Sequence, residues 1–152
     1  MIRPATHEDI EAVVALGREM HAECWASWAA YAPDRVRTVL QRLVDHGFLW
    51  VHEHAGKVDG TLAGFVADCW YADMRVAGEF GLYVRPDLAG GVIAMRLIKQ
   101  FVQWATEQGA QEITLGITTG VNIHETGRLY ERLGFELVGG NYKMRIDHVH
   151  RS

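Results

Sequence analysis

Val36, Val39, Leu40, Leu43 and Val44 stand three and four positions apart with mostly charged and polar residues between them. That spacing predicts an amphipathic helix, opened by Pro33 and Asp34 and stopped by Gly47. Upstream, Ile10, Val13, Val14, Gly17 and Met20 keep the same rhythm behind Thr6 and Asp9, which are spaced as a capping box. A helix is predicted there from about residue 7 to residue 24, with Ile2 and Arg3 as a short strand before it. The period then changes. Residues 48–54 and 61–70 are rich in aromatic and β-branched side chains, and Gly56, Asp59 and Gly60 between them predict a hairpin. A third run, 79–84, ends at Pro86. After Gly90 and Gly91 the helical period returns with Ile93, Leu97, Ile98, Phe101, Trp104 and Ala105, and closes at Gly109. Residues 112–117 are predicted as a strand and 122–133 as a helix stopped by Gly134. Residues 135–138 and 142–146 are predicted as closing strands around Gly139, Gly140 and Asn141. The predicted order is therefore β α α β β β α β α β β.

Composition narrows the function classes. With 152 residues, 49% of them hydrophobic and 22% charged, the chain has the make-up of one globular domain over 1–152, without repeat, low-complexity stretch or linker. Its formal net charge of −4 lacks the electrostatic footprint of a nucleic-acid or anionic-membrane partner. No window is apolar enough for a membrane span, and residues 1–9 lack a signal-peptide layout, so a soluble cytoplasmic protein is expected. Cys24 and Cys69, far apart and outside any C-x-x-C pattern, are expected to be two buried thiols.

The informative junction runs from Leu82 to Ala94, a predicted strand feeding a glycine turn that opens a long helix. Backbone N–H groups at such a helix start, at the positive end of its dipole, can hold phosphate without lysine. An ordinary strand-to-helix turn has the same glycines. Neither G-x-G-x-x-G nor G-x-x-x-x-G-K-[ST] occurs, which excludes a dinucleotide fold and a P-loop hydrolase.

Downstream, residues 122–135 read Asn-Ile-His-Glu-Thr-Gly-Arg-Leu-Tyr-Glu-Arg-Leu-Gly-Phe. Together with the junction and the element order, this resembles the GNAT superfamily of acetyl-CoA-dependent N-acetyltransferases across nearly the whole chain. The family's V-x-P-x-x-R-G turn and N-x-x-A-x-x-L-Y-x-x-x-G-F segment carry the likeness. The family's Q/R-x-x-G-x-G/A signature departs here: Ala89 stands at its first position and Val92 at its central glycine, while Ala94 agrees. Gly90 and Gly91 can compensate, because backbone amides do most of the holding in such a loop.

The resemblance implies an α/β (α+β) fold with a mixed, mostly antiparallel, splayed sheet of about seven strands flanked by four helices. It implies acetyl-CoA as co-substrate and a small-molecule or peptide amine as acceptor, attacked directly, and it is compatible with a homodimer. The site it implies has Tyr130 as general acid for the leaving thiolate and Glu79 as base through water. Leu82, Tyr83, Val84, Ala89, Gly90, Gly91, Val92, Ile93, Ala94 and Asn122 would bind the cofactor, the backbones of Leu82 and Val84 pairing with the pantetheine amides. Gly116 stands where some relatives carry a glutamate, so that route to a base is absent. Each side chain has a structural alternative: a core tyrosine, a solvated glutamate, an ordinary N-cap.

Trp25, Trp28 and Tyr31 fall where the superfamily builds its acceptor pocket, and aromatic walls suit an apolar or cationic acceptor as well as they suit packing against the sheet. His52 with His54, and His148 with His150, repeat a same-face spacing that could form a metal site if the pairs met in space, though no cysteine joins them. Two rivals to the enzyme remain: a catalytically silent acyl-CoA sensor or assembly component of the same fold, and a metal-dependent binding module.

Overall fold

Alternation along β2 (Phe48–His54) sorts its side chains onto two faces: Phe48 and Trp50 join one apolar cluster, Leu49 and Val51 another. The computed structural model, which describes residues 1–88, 91–117 and 119–146, builds a five-stranded sheet around this strand. Its order is β1 (Ile2–Pro4), β2, β3 (Lys57–Asp68), β4 (Arg75–Val84), β5 (Ala110–Thr114). Neighbours are antiparallel except β4 and β5, which are parallel and joined through α3 (Val92–Glu107). On one face α1 (Ile10–Glu23) and α2 (Pro33–His46) bury Ile10, Val13, Val14, Leu40 and Leu43 against Leu49, Val51 and Ala63. On the other, α3 and α4 (Ile123–Arg132) bury Leu97, Ile98, Phe101 and Tyr130 against Phe48, Leu62 and Ala77. A side chain at Gly64 would put a Cβ 2.5 Å from a ring carbon of Phe101, so bare backbone lets that ring lie against the sheet.

Polar contacts pin the short first strand. The Arg3 guanidinium donates to both carboxylate oxygens of Asp9, at 2.8 and 2.9 Å, and to Glu53. The Thr6 N–H also donates to Asp9, so the predicted capping pair forms. It opens a 3-10 turn (His7–Asp9) rather than the helix itself, which begins at Ile10.

The structure corrects the sequence reading elsewhere. Five strands are found among the described residues, not seven. Residues 135–138 and 142–146 carry no strand pairing, and Leu137, Val138, Tyr142, Met144 and Ile146 are exposed. An alternating run becomes a strand only where a neighbour supplies hydrogen bonds and a layer covers its apolar side. The β2–β3 turn lies earlier than predicted, at Ala55 and Gly56, both at positive φ as a two-residue hairpin turn needs, so Asp59 and Gly60 lie inside β3 and are buried. Cys24 and Cys69 are free and partly exposed instead of buried. No helix among the described residues is long and apolar enough to cross a membrane.

The Arg3 guanidinium holds the Asp9 carboxyl down to about 2, below its ordinary 3.8. The folded state therefore gains stability above pH 4 that disappears as pH falls toward 2, worth about 1–2 kcal/mol once solvent screening on the Arg3 side is allowed for. Asp9→Asn is expected to cost about that much at pH 7. In urea melts the gap between parent and variant should close toward pH 2; a gap independent of pH would remove the ion pair from the account.

Candidate active site

β4 and β5 pair only from Arg75–Gly78 against Ala110–Thr114. β4 runs on to Val84, so from Glu79 its outer edge has no strand beside it among the described residues, and the sheet opens there. Two side chains meet at the opening. The Gly116 N–H donates to Glu79 Oε1 at 3.1 Å, and the Tyr130 hydroxyl, from α4, donates to the Gly116 carbonyl at 3.1 Å. Burial pushes the Glu79 carboxyl up, with the Gly116 N–H partly offsetting it. Burial first, then the Glu79 charge, pushes the Tyr130 phenol up to about 12. At neutral pH that phenol keeps its proton, while the carboxyl is a stronger base than an exposed glutamate.

A register shift follows Glu79 directly. Ala63 pairs with Gly81 and Gly64 with Glu79, which leaves Phe80 as an extra residue on β4. Ala77 lies on the α3 face, and strict alternation would put Glu79 and Gly81 there too. Instead Leu82 packs on the α3 face, and a Cβ at Gly81 would meet Met20 of α1. Alternation from Ala77 gives Glu79 the face of Tyr130, and the bulge after it lets Leu82 and Val84, rather than Gly81 and Tyr83, pack under α3.

At the far end of β4, Gly91 occupies the N-cap of α3 at φ +70°, with open space where a Cβ would stand. The helix ladder starts with the Met95 N–H on the Gly91 carbonyl, so the N–H groups of Val92, Ile93 and Ala94 have no acceptor within the helix. Their side chains point elsewhere: Val92 is exposed, Ile93 lies against Gly60, and Ala94 is buried. These residues therefore offer backbone donors at the positive end of a helix dipole. Ala89 and Gly90 lie outside the described residues. Leu82 and Val84 pack on the α3 side, and Tyr83 is half-buried, its phenol pushed up by burial and by Glu23 and Glu19. Asn122 sits at the N-cap of α4 but in a left-handed conformation without a side-chain cap bond, so the expected capping role does not form.

The aromatic residues divide. Trp25 and Trp28 belong to a 3-10 turn (Trp25–Trp28), with rings 6.5 Å apart at 89°. The Trp25 N–H donates to the Thr119 carbonyl at 2.9 Å, which ties this turn to the stretch just past Gly116. Tyr31 stands apart: its hydroxyl donates to the Val14 carbonyl at 2.8 Å and its ring carries the Arg18 guanidinium. Lys143 and Arg145 lie over Trp25 and Trp28. The histidine pairs do not assemble. His52 Nδ1 is hydrogen-bonded to Asp59 in the interior and His54 is exposed, while His148 and His150 lie outside the described residues. Among the described residues no group of three or more His, Cys, Asp or Glu could hold a metal. Sequence reasoning missed Gly116 as the shared partner of Glu79 and Tyr130, the Phe80 bulge and the two cations on the tryptophans; none of these has a local signature.

A family model described as the Acetyltransferase (GNAT) family matches residues 15–135. A Mus musculus protein, probable N-acetyltransferase family 8 member 5, is 32% identical over 94 residues, which span 62% of this chain and 40% of that protein. The chain thus matches less than half the length of that curated relative. Among solved structures, AAC(6')-Iy in complex with the bisubstrate analog CoA-S-monomethyl-acetylneamine has a TM-score of 0.75 at 17% identity, over 95% of this chain and 96% of the other. A predicted acetyltransferase of Clostridium acetobutylicum solved with acetyl-CoA has a TM-score of 0.74 at 18% identity, over 97% of both chains. At such identities the likeness is one of fold.

The raised Glu79 carboxyl has a thermodynamic sign. A folded-state value above the unfolded one favours the fold below pH 4.5 and loses that advantage as pH climbs through the folded value. Glu79→Gln keeps an oxygen for the Gly116 N–H and removes the charge. Its melting temperature is expected to gain on the parent's between pH 4 and pH 8; a constant difference across that range would mean the carboxyl is well solvated.

Proposed function

Because the chain belongs to the GNAT acetyltransferase family, we propose that it is an acetyl-CoA-dependent N-acetyltransferase acting on a primary amine of a small molecule or peptide. One observation carries the reading: a half-buried carboxyl and a buried phenol share the Gly116 backbone where the sheet opens. Acetyl-CoA, when bound, supplies an acyl thioester. The donor set suits a phosphate-bearing ligand, since the first turn of α3 presents N–H groups and no acidic side chain. Val92, Ile93 and Ala94 would hold the pyrophosphate by backbone, and the free edge at Leu82 and Val84 would pair with the pantetheine amides as an added strand. The relatives solved with a CoA bisubstrate analog and with acetyl-CoA support this assignment.

This chain's own residues then have two tasks. A primary amine arrives mostly as ammonium at neutral pH, and Glu79, with its raised carboxyl, takes that proton through a water. Tyr130 Oη keeps its own proton at neutral pH and would supply it to the sulfur that leaves as the amine nitrogen bonds the acetyl carbon, giving up its hold on the Gly116 carbonyl and regaining a proton from that nitrogen. A panel of amines assayed for free CoA release tests the reading. Acetyl-CoA binding without release on any amine would favour the silent sensor, toward which the departures at Ala89 and Val92 point.

Tyr130→Phe keeps the ring and removes the proton donor. Its kcat should fall about 10²- to 10⁴-fold with acetyl-CoA affinity little changed. Full turnover by this variant would hand the acid role to water. Gly91→Val tests the phosphate site. No atom lies near the new Cβ, but a φ of +70° costs a branched side chain about 1–2 kcal/mol. The acetyl-CoA-induced rise in melting temperature should shrink, with the unliganded melting point lowered by only about 2–8 °C. An undiminished ligand shift would place the pyrophosphate elsewhere.

A further inference from the structure

Residues 136–146 lie against the molecule without being packed into it: Leu137, Val138, Tyr142, Met144 and Ile146 are all exposed. Burial of apolar side chains is therefore not what seats this segment. Its cations have defined places. Lys143 Nζ lies 5.6 Å from the centre of the Trp25 ring, and Arg145 Cζ lies 4.2 Å from that of Trp28. The two indoles stand at 89° to each other and form a corner, both residues still nearly half exposed with the cations present. Arg145 Nε is buried with no hydrogen-bond partner among the described residues, and the guanidinium lies over the Trp28 ring face. The corner is fixed close to the reaction centre, because the Trp25 N–H is bonded to Thr119, three residues past the Gly116 peptide that Glu79 and Tyr130 share.

We propose that the Trp25–Trp28 corner is a cation-recognition subsite for the acceptor, and that Lys143 and Arg145 are intramolecular competitors for it. The acceptor class that follows is an organic polycation, one whose reacting amine is accompanied by further ammonium or guanidinium groups. Aromatic faces favour such groups electrostatically, and an ammonium and a guanidinium are what this corner already holds. A linear polyamine and a short basic peptide share that chemistry. The acceptor role rests on the transferase reading above; the competition between segment and ligand does not.

Binding is measured without acetyl-CoA, by calorimetric titration with two probes: spermidine, and the blocked tripeptide acetyl-Lys-Met-Arg-amide, which copies residues 143–145. A Lys143→Ala/Arg145→Ala double variant is expected to bind at least one probe more tightly than the parent. Each exposed cation–π contact is worth about two- to fivefold in affinity, so the gain should be about four- to twenty-fivefold. The probe that gains identifies the source of the polycation. Trp28→Leu in the double-variant background should abolish the gain. Lys143→Gln/Arg145→Gln serves as the second pair and should give the same gain, so a misfolded alanine variant does not decide the matter. Equal affinity of parent and both folded double variants for both probes overturns the proposal. In steady-state assays the KM for the same polycation should fall by the same factor, with kcat and the KM for acetyl-CoA unchanged. Tight binding without CoA release would refute the transferase reading alone, whereas turnover with an unchanged KM would refute the competition alone.

Discussion

The arrangement turns on the peptide neighbourhood of Gly116, whose N–H serves a half-buried carboxylate and whose carbonyl serves a buried phenol. A carboxylate taken out of water is costly unless several donors meet it, and among the described residues Glu79 has one backbone N–H. Burial therefore dominates, and its carboxyl rises. The cost is the chemical asset: the same burial that weakens the fold makes the group a better base and keeps the neighbouring phenol protonated. Tying both to backbone rather than to each other leaves neither proton committed to the other group.

The rest of the molecule holds that opening in place. β4 must pair with β5 up to Gly78 and then stand alone, which only a strand anchored on its other edge can do. β3 supplies the anchor, pairing along β4 from Arg75 to Val84. Helices on both faces fix the sheet, with Phe101 against Gly64 on one and the α1–α2 pair on the other. At the tip of β4 the Arg85 guanidinium donates to both oxygens of Glu19 on α1, at 3.1 and 3.0 Å, and its N–H reaches the Asp59 carbonyl. The strand end that leads into the Gly91 turn is therefore held from two directions.

The solved relatives share this fold at 17–18% identity. Such an architecture survives low identity because cores accept many side chains of suitable size. A particular acceptor is a different matter. Fold likeness does not carry it, because an acceptor is chosen by surface groups that the core does not dictate.

Periodicity alone determined the helices, since a three-and-four spacing has one structural solution; α2 begins at Pro33 and gives way at Gly47 as its signals require. Local chemistry also marked the strand-to-helix junction at Gly91, because a left-handed N-cap selects glycine. The family resemblance singled out Tyr130 and Glu79, but their meeting at Gly116 was not legible, since it joins residues 37 and 14 positions away across a β–α–β crossover. The Phe80 bulge was equally hidden, because a one-residue register shift exists only relative to the partner strand. Residues 135–146 show the converse. Their alternation reads as two strands, but a strand forms only where a neighbour supplies hydrogen bonds, and that is decided by tertiary structure.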